Sequence, residues 1–116
     1  MTAELRRAIA ETCAQMYARG LIVAGDGNVS IRVAPDRVLV TPTNRRKGFL
    51  TADDIVLVAL DGTVIEGSGK ASSEFAMHRV VYETRPDARA VVHAHPPFAV
   101  AHTVAGISMA GPLMPE

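Results

Sequence analysis

The sequence predicts an α/β fold in which helices cover both faces of a central, mostly antiparallel sheet, giving a three-layer α/β/α arrangement. Apolar residues recur at helical spacing near the N-terminus, and short alternating segments separated by turn residues follow them. Helices interleaved with antiparallel strands are typical of such a domain. We expect a single domain over residues 1–116. The last predicted strand has no partner after it, so we expect the domain to be incomplete at its C-terminal end.

The first element is predicted to be an amphipathic helix. Thr2 is a candidate N-cap residue, and Gly20 stands where a glycine that ends a helix belongs. The apolar positions that define one helical face between them are Leu5, Ile9, Cys13, Met16 and Tyr17. We therefore expect a helix between Thr2 and Gly20.

Two hairpins are predicted to follow this helix. The predicted strands cover residues 29–33, 38–40, 55–58 and 64–65. A glycine-rich turn at 25–28 precedes the first strand, and Pro35 and Asp36 turn the chain into the second. Asp61 and Gly62 form the turn of the second hairpin.

The second half of the chain is predicted to contain a helix, a strand and another helix. Ser72 or Ser73 is expected to cap a helix that carries Glu74 and ends before Pro86, because the residue before a proline resists the helical conformation. Residues 88–95 form a predicted buried strand. The remaining predicted elements are an apolar helix at 98–105 that ends at Gly106 and the start of a strand at 107–109.

Charge and cysteine content limit the possible binding partners and the possible cellular compartment. Lys plus Arg and Asp plus Glu number 12 each, so the net charge gives no reason to expect a nucleic acid or an acidic membrane surface. The short basic run at residues 45–47 could raise the local positive potential, but it is interpreted as a solvated face. Cys13 is the only cysteine, which fits a reducing compartment. Without an apolar signal segment or a stretch of ~18 apolar residues, the protein is expected to be soluble and cytoplasmic.

His93 and His95 are separated by one residue in a predicted strand. Side chains at i and i+2 of a strand leave the same face, with Cα atoms roughly 6.5 Å apart. Two imidazoles at this spacing can converge on one ion, and neutral imidazole suits Zn²⁺ and its neighbours among the transition metals. The alternative is that both histidines are hydrogen-bonded core residues of an apolar strand.

Three polar segments are candidates for binding a phosphate. Ser72 and Ser73 precede Glu74 at a predicted helix start, where free N–H groups and the helix dipole favour an anion. Asn28 follows a glycine-rich turn and Thr43 lies in a polar loop, so each presents small polar groups near backbone N–H groups. For Ser72, Ser73 and Glu74 taken alone, ordinary helix capping with an acidic first-turn residue is the better explanation, and any ordinary turn resembles the other two segments.

Five motifs occur in the order and approximate spacing of a known protein family. They are Gly27-Asn28-Val29-Ser30, Thr41-Pro42-Thr43, Ser72-Ser73-Glu74 with His78, Arg85-Pro86-Asp87-Ala88 and Val91-Val92-His93-Ala94-His95. On these motifs the chain resembles the class II aldolase/adducin-like family over nearly its whole length. That family includes fuculose-1-phosphate and rhamnulose-1-phosphate aldolases, ribulose-phosphate 4-epimerase and methylthioribulose-phosphate dehydratase.

The resemblance implies a divalent metal, with zinc expected, held by His93, His95 and a third histidine. Glu74 would be the acid/base residue and would also approach the metal when substrate is absent. The implied phosphate pocket comprises Asn28, Thr43, Asn44, Ser72 and Ser73. The implied activity is that of a lyase, an aldolase that cleaves a ketose 1-phosphate into dihydroxyacetone phosphate and a small aldehyde through a metal-stabilised enediolate. Because family members commonly form tetramers, the resemblance also implies a homotetramer.

The sequence departs from the family at several positions. Asn44 follows Thr43 where the fuculose-phosphate aldolases usually carry glycine, and Ala71 precedes the two serines where proline is common. Residues 113–115 contain no tyrosine, although typical aldolases contribute one to a neighbouring subunit near this position. The third metal histidine of the family lies downstream of the last residue of this chain. The third metal ligand and the proton donor to the aldehyde oxygen are therefore unassigned.

Related activities remain open at this point. Glu74 favours an aldolase over the epimerases, which usually carry aspartate there, whereas a dehydratase acting on a methylthioribulose-type phosphate also uses glutamate. A non-enzymatic, adducin-like interaction module would keep the fold without its metal, but the joint presence of Glu74, His93 and His95 argues against it. His78 and His102, the remaining histidines, are expected to be packed or solvent-facing.

Overall fold

The computed structural model describes residues 1–111 of the chain. Its helices and strands are α1 (Thr2–Ala18), β1 (Asn28–Ala34), β2 (Arg37–Val40), β3 (Val56–Ala59), β4 (Val64–Glu66), α2 (Phe75–Thr84), β5 (Ala90–His93) and α3 (Pro97–Ala105). The strands form one sheet in the order β4-β3-β2-β1-β5, and every neighbouring pair is antiparallel. The predicted antiparallel sheet with interleaved helices is confirmed.

Apolar side chains pack on both faces of this sheet. α1 lies on one face, in a cluster made of Ile9, Cys13, Met16, Ile22, Val29, Leu39 and Ile55. α2 lies on the other face, in a cluster made of Val38, Val40, Val56, Val58, Phe75 and Tyr82. Since successive strand residues point to opposite faces, Leu39 serves one cluster and its neighbours Val38 and Val40 serve the other. This is the predicted three-layer α/β/α arrangement.

The starts of the helices differ from the prediction. Thr2 is already the first residue of α1, and the residue before it makes no side-chain capping bond, so the predicted cap at Thr2 is wrong. α2 begins at Phe75, and Ser72 and Ser73 lie in the turn that leads into it. No side-chain capping bond is made at the start of α2 either. The physical reason is that the Ser72 hydroxyl accepts the N–H of Glu74, which precedes the helix, and the Phe75 N–H donates to the backbone carbonyl of Ser72 at 3.0 Å.

The ends of the helices agree with the prediction. Gly20 follows α1 and Gly106 follows α3, both with φ of 69°, a left-handed conformation that suits glycine after a helix. α2 ends at Thr84, ahead of Pro86. Within residues 1–111, no helix combines the length and the apolar character that crossing a membrane requires.

β5 is shorter and more exposed than predicted. The sequence predicts a buried strand at 88–95, but β5 covers only Ala90–His93, and Val92 is 55% exposed. The ladder stops because His93 pairs with Asn28, the first residue of β1, and nothing of β1 remains for further pairing. Residues 107–109 form no strand, so that prediction is wrong as well. The region 113–115, where a family tyrosine is expected, lies outside the described residues.

Candidate metal and active site

Glu74, His93 and His95 converge at one end of the sheet. One potential ligand atom from each of the three side chains lies within 4.8 Å of the others. The two imidazole rings have centroids 4.9 Å apart, and Oε2 of Glu74 lies 3.1 Å from Nδ1 of His93. The sequence predicted the histidine pair on a strand, and the structure brings both histidines together with the predicted carboxylate.

Three different segments of the chain position this cluster. Glu74 immediately precedes α2, and His93 is the last residue of β5. His95 lies two residues beyond the strand, where its backbone N–H donates to the carbonyl of Leu21 at 2.8 Å. That bond keeps the chain extended past the end of the ladder, so the i, i+2 geometry expected of a strand persists although His95 is outside it.

Asn28 connects the carboxylate to the strand behind it. Its amide nitrogen Nδ2 donates to Oε2 of Glu74 at 2.6 Å, and Asn28 itself is only 2% exposed. This hydrogen bond is the main cause that lowers the pKa of Glu74, while partial burial opposes it and His93 and His95 add a smaller lowering effect. The Glu74 side chain is 50% exposed. The site therefore presents an ionised carboxylate of fixed orientation that a solute can reach.

His78 is fully buried behind Asn28, which confirms the expectation of a packed histidine. Burial lowers the pKa of His78 to about 4, with a smaller lowering effect from His93 and an opposing effect from Glu74. The sequence analysis did not connect His78 to the site. The spacing of these residues could have indicated the connection. His78 and Tyr82 are one helical turn apart and share a face of the helix, and Asn28 and Ser30 are two residues apart and share a face of β1.

The predicted phosphate residues Thr43 and Ser72 lie on two adjacent segments. The Thr43 N–H donates to the carbonyl of Lys70 at 2.9 Å, and the Ser72 N–H donates to the carbonyl of Thr41 at 3.0 Å. The Ser72 hydroxyl oxygen accepts the N–H of Glu74 at 3.3 Å, and Ser73 is exposed beside it. This pairing brings Thr43 and the serine turn to the same end of the sheet as the histidines.

Asn44 faces a different space. It adopts a left-handed backbone with φ of 57° and lines a cavity of about 370 Å³ together with Arg45, Arg46, Phe49, Leu50 and Asp54. None of the other predicted phosphate residues lines this cavity. Arg45 forms an ion pair with Asp54 at 2.5 Å, and the Arg46 guanidinium lies over the ring of Phe49.

The interpretation of residues 45–47 as a solvated face is wrong for Lys47. Lys47 is 3% exposed, and its ammonium donates to the carbonyls of Gly25 and Arg45, each at 3.1 Å. Its backbone N–H donates to the carbonyl of Ala24 at 3.0 Å. Burial lowers the pKa of the amine, while nearby groups, Asp26 among them, oppose that effect. Lys47 thus ties the loop before β1 to the loop after β2.

Gly27 allows this loop to pass close to β5. Its φ is 73°, and a β carbon placed on it would lie 2.6 Å from the side chain of Ile22 and 2.8 Å from the carbonyl oxygen of His93. Only glycine fits such a position without displacing its neighbours. Asp26, the preceding residue, places a carboxylate oxygen 3.7 Å from Nδ1 of His95. The glycine-rich turn therefore borders the histidine pair directly.

The donor set fits a transition metal with an open position. Two imidazoles and one glutamate are a known ligand combination for catalytic Zn²⁺. The single cysteine is not part of the cluster, because Cys13 lies in the α1 layer and burial raises the pKa of its thiol to about 11. The arrangement is suited to binding a metal while a carboxylate beside it exchanges a proton.

Comparison with curated proteins gives relatives of several activities. The chain is 42% identical over 92 residues to the methylthioribulose-1-phosphate dehydratase of Acidiphilium cryptum, covering 79% of this chain and 44% of that protein. It is 36% identical over 112 residues to the 3-oxo-tetronate 4-phosphate decarboxylase of Cupriavidus necator, covering 97% of this chain and 51% of that protein. The chain spans about half the length of these relatives.

The fold is shared with solved structures. The crystal structure of L-fuculose-1-phosphate aldolase from Thermus thermophilus superimposes with a TM-score of 0.75 and 41% identity, over 90% of this chain and 52% of that one. The sequence profile of the class II aldolase and adducin N-terminal domain matches residues 7–116. The chain therefore belongs to the class II aldolase and adducin N-terminal domain family.

Proposed function

We propose that the protein is a metal-dependent aldolase that cleaves a ketose 1-phosphate into dihydroxyacetone phosphate and a small aldehyde. The observation that carries this proposal is the convergence of Glu74, His93 and His95 to within 4.8 Å. The proposal concerns the whole protein, since the chain spans about half the length of its relatives. We also propose a homotetramer, from the family resemblance, and a cytoplasmic location, from the sequence.

His93, His95 and one further histidine outside this chain would hold the metal, and Glu74 would approach it when substrate is absent. Zinc is the proposed ion. When bound, the metal supplies Lewis-acid stabilisation of the negative charge that develops on substrate oxygens. Catalytic zinc sites commonly have three protein ligands and keep one position open for water or substrate. The proposal follows the family in assigning one further histidine, outside this chain, to the ligand set.

Glu74 would move the proton at the reacting carbon. When the carbon–carbon bond of the ketose breaks, its electron pair passes into the fragment that becomes dihydroxyacetone phosphate. The hydroxyl group on the carbon that becomes the aldehyde releases its proton, and the dihydroxyacetone phosphate fragment gains one proton on carbon. The Asn28 bond favours the ionised form of Glu74, and the 50% exposure of the side chain leaves it accessible to a substrate. A carboxylate that alternately takes and returns a proton meets this need.

The phosphate of the substrate would bind at the serine turn. Ser72 and Ser73 precede α2, where the positive end of the helix dipole favours an anion, and Thr43 lies on the adjacent segment. Asn28 completes the proposed pocket, and we leave Asn44 out of it because Asn44 lines the separate cavity beside Arg45. The Asn28 amide already donates to Glu74, so we assign it a phosphate contact only through its second N–H.

A dehydratase acting on a methylthioribulose-type phosphate is the second candidate. The 42% identity to the Acidiphilium cryptum protein favours it, and Glu74 suits proton removal in either reaction. The similarity to a decarboxylase adds a third reaction class that the sequence analysis did not consider. An epimerase and a non-enzymatic interaction module are further alternatives, and neither has a specific observation in its favour.

The deciding experiment is a substrate screen of the full-length protein after reconstitution with zinc. Ketose 1-phosphates should release dihydroxyacetone phosphate, which a coupled reduction detects. Loss of water from methylthioribulose 1-phosphate, or release of CO₂ from a 3-oxo acid phosphate, would replace the aldolase proposal by the corresponding alternative. A double variant, His93→Ala with His95→Ala, should lose bound metal in elemental analysis. Full metal content in that variant would show that the ion binds elsewhere.

A further inference from the structure

A continuous series of buried hydrogen bonds runs from α2 through β1 to the carboxylate of Glu74. The Tyr82 hydroxyl lies 2.7 Å from Oγ of Ser30, which lies 2.6 Å from Nδ1 of His78. Nε2 of His78 lies 2.5 Å from Oδ1 of Asn28, whose amide nitrogen donates to Glu74 at 2.6 Å. The four residues behind Glu74 are each at most 2% exposed.

The chemistry of the last acceptor fixes the direction of every bond in the series. An ionised carboxylate only accepts, so Asn28 directs its NH₂ group to Glu74 and its carbonyl oxygen to His78. That oxygen also lies 3.3 Å from Nδ1 of His93, but it lies only 2.5 Å from Nε2 of His78, and two acceptors would repel each other at that distance. His78 therefore carries its hydrogen on Nε2 and accepts on Nδ1. Ser30 then donates to Nδ1 and accepts from the hydroxyl of Tyr82. All donors point toward Glu74.

The need to fill space does not explain why buried polar groups occupy these positions. Buried polar groups are costly unless they are fully hydrogen-bonded, and apolar side chains would fill the same volume without that cost. If Asn28 were reversed, its carbonyl oxygen would face the carboxylate and its NH₂ group would face the N–H of His78. The reversed amide would therefore need the opposite tautomer of His78 and would place an acceptor against the carboxylate, so the series and the carboxylate together favour the amide orientation that holds Glu74 beside His93.

We propose that Ser30 and His78 are positioning residues that orient the Asn28 amide and thereby hold the Glu74 carboxylate against the histidine pair. The inference rests on the proposed function, in which Glu74 takes part in metal binding and proton transfer. Neither residue belongs to the metal cluster itself. Their effect passes through Asn28, in the way that groups behind a metal ligand set its orientation.

The first test is the tautomer of His78 in the metal-free, full-length protein, read by ¹⁵N NMR after labelling of the histidines. The expected result is hydrogen on Nε2 and an unprotonated, hydrogen-bonded Nδ1. Hydrogen on Nδ1 would reverse the series and overturn the inference. This measurement needs no turnover, so it is separate from the fate of the proposed function.

The second test compares Ser30→Ala with Cys13→Ala. Cys13 is equally buried, but it lies on the opposite face of the sheet, so its variant controls for a small core cavity. Ser30→Ala should weaken Co²⁺ binding, titrated by absorption, and lower kcat by about 10–100-fold, with KM little changed. Tyr82→Phe removes only the first donor and should have a smaller effect in the same direction.

The outcomes separate the two proposals. Wild-type metal affinity and kcat in Ser30→Ala, or losses no larger than those of Cys13→Ala, would overturn the inference. Should Ser30→Ala fail to fold, Tyr82→Phe and the tautomer decide the matter by the same criteria. Failure of the proposed function would look different, since the wild-type protein itself would then bind no divalent metal and release no product, whatever the tautomer of His78.

Discussion

Replacing His78 by glutamine should make the stability of the protein less sensitive to acid. The ring is fully buried, and burial is the main cause that lowers its pKa from 6.5 to about 4. The folded chain therefore keeps the ring neutral at pH values at which the unfolded chain binds a proton. The contribution of this ring to stability is complete above the unfolded pKa and is lost as the pH falls toward the folded pKa.

The size of this effect follows from the shift. One pKa unit corresponds to about 1.4 kcal/mol, so between about pH 7 and about pH 5 the ring should remove up to about 2 kcal/mol from the free energy of unfolding. Glutamine keeps a donor and an acceptor but does not titrate. His78→Gln should therefore be less stable at neutral pH and show a flatter profile. Carboxylates with lowered pKa values, such as Glu74 and Asp54, stay largely ionised in this window.

Urea unfolding of the metal-free, full-length protein at a series of pH values measures the profile. Metal is removed because an ion that binds only the folded state adds stability of its own. His102→Gln, a change on α3 away from the network, serves as the control and should keep the wild-type slope. A His78→Gln profile parallel to that of the wild type would show that burial does not hold the ring neutral, and the reasoning would be refuted.

Three further predictions concern the loops and the carboxylate. Gly27→Ala should lower the free energy of unfolding by about 2–5 kcal/mol, because alanine is unfavourable at this positive φ and its β carbon would collide with Ile22. Gly20 has a similar φ but open space around it, so Gly20→Ala should lower the free energy of unfolding by only about 1–2 kcal/mol in the same urea titration. Lys47→Met should lower the free energy of unfolding by about 1–3 kcal/mol, because two hydrogen bonds of the ammonium are lost. Unchanged thermal stability would argue against the interpretation that Lys47 holds the two loops together. Glu74→Gln should lower kcat by ~10²–10⁴-fold while a phosphate-bearing inhibitor still binds, and wild-type turnover would remove its role in proton transfer.

The fold could be predicted largely from local patterns. The helical spacing of Ile9, Cys13 and Met16 predicts the face of α1 that packs on the sheet, and alternation predicts the strands of both hairpins. The helix starts could not be predicted as well, because the Ser72 hydroxyl bonds to the N–H of Glu74 before the helix and does not cap the first helical turn. The exposure of β5 depends on its place at one end of the strand order, which local patterns do not contain.

Contacts within the site could be predicted where the residues are close in sequence, and they could not be predicted where the residues are far apart in sequence. The spacing of His93 and His95 alone indicates that their side chains lie near each other. The bond from Asn28 to Glu74 joins residues 46 apart and depends on the packing of α2 against β1. The burial of Lys47 depends on carbonyls of two other loop positions, so a short basic run gives no sign of it. The roles of these residues in catalysis stay predictions.

The ammonium of Lys47 acts as a cation that is tethered to the chain. It is bound by main-chain carbonyls, much as a loosely held potassium ion would be, but neither dialysis nor a chelator can remove it. The loop before Asn28 should therefore keep its shape whether or not the proposed metal ion is bound. Loading and exchange of that ion would then require little rearrangement of these loops, and the empty protein would be preorganised for the next one.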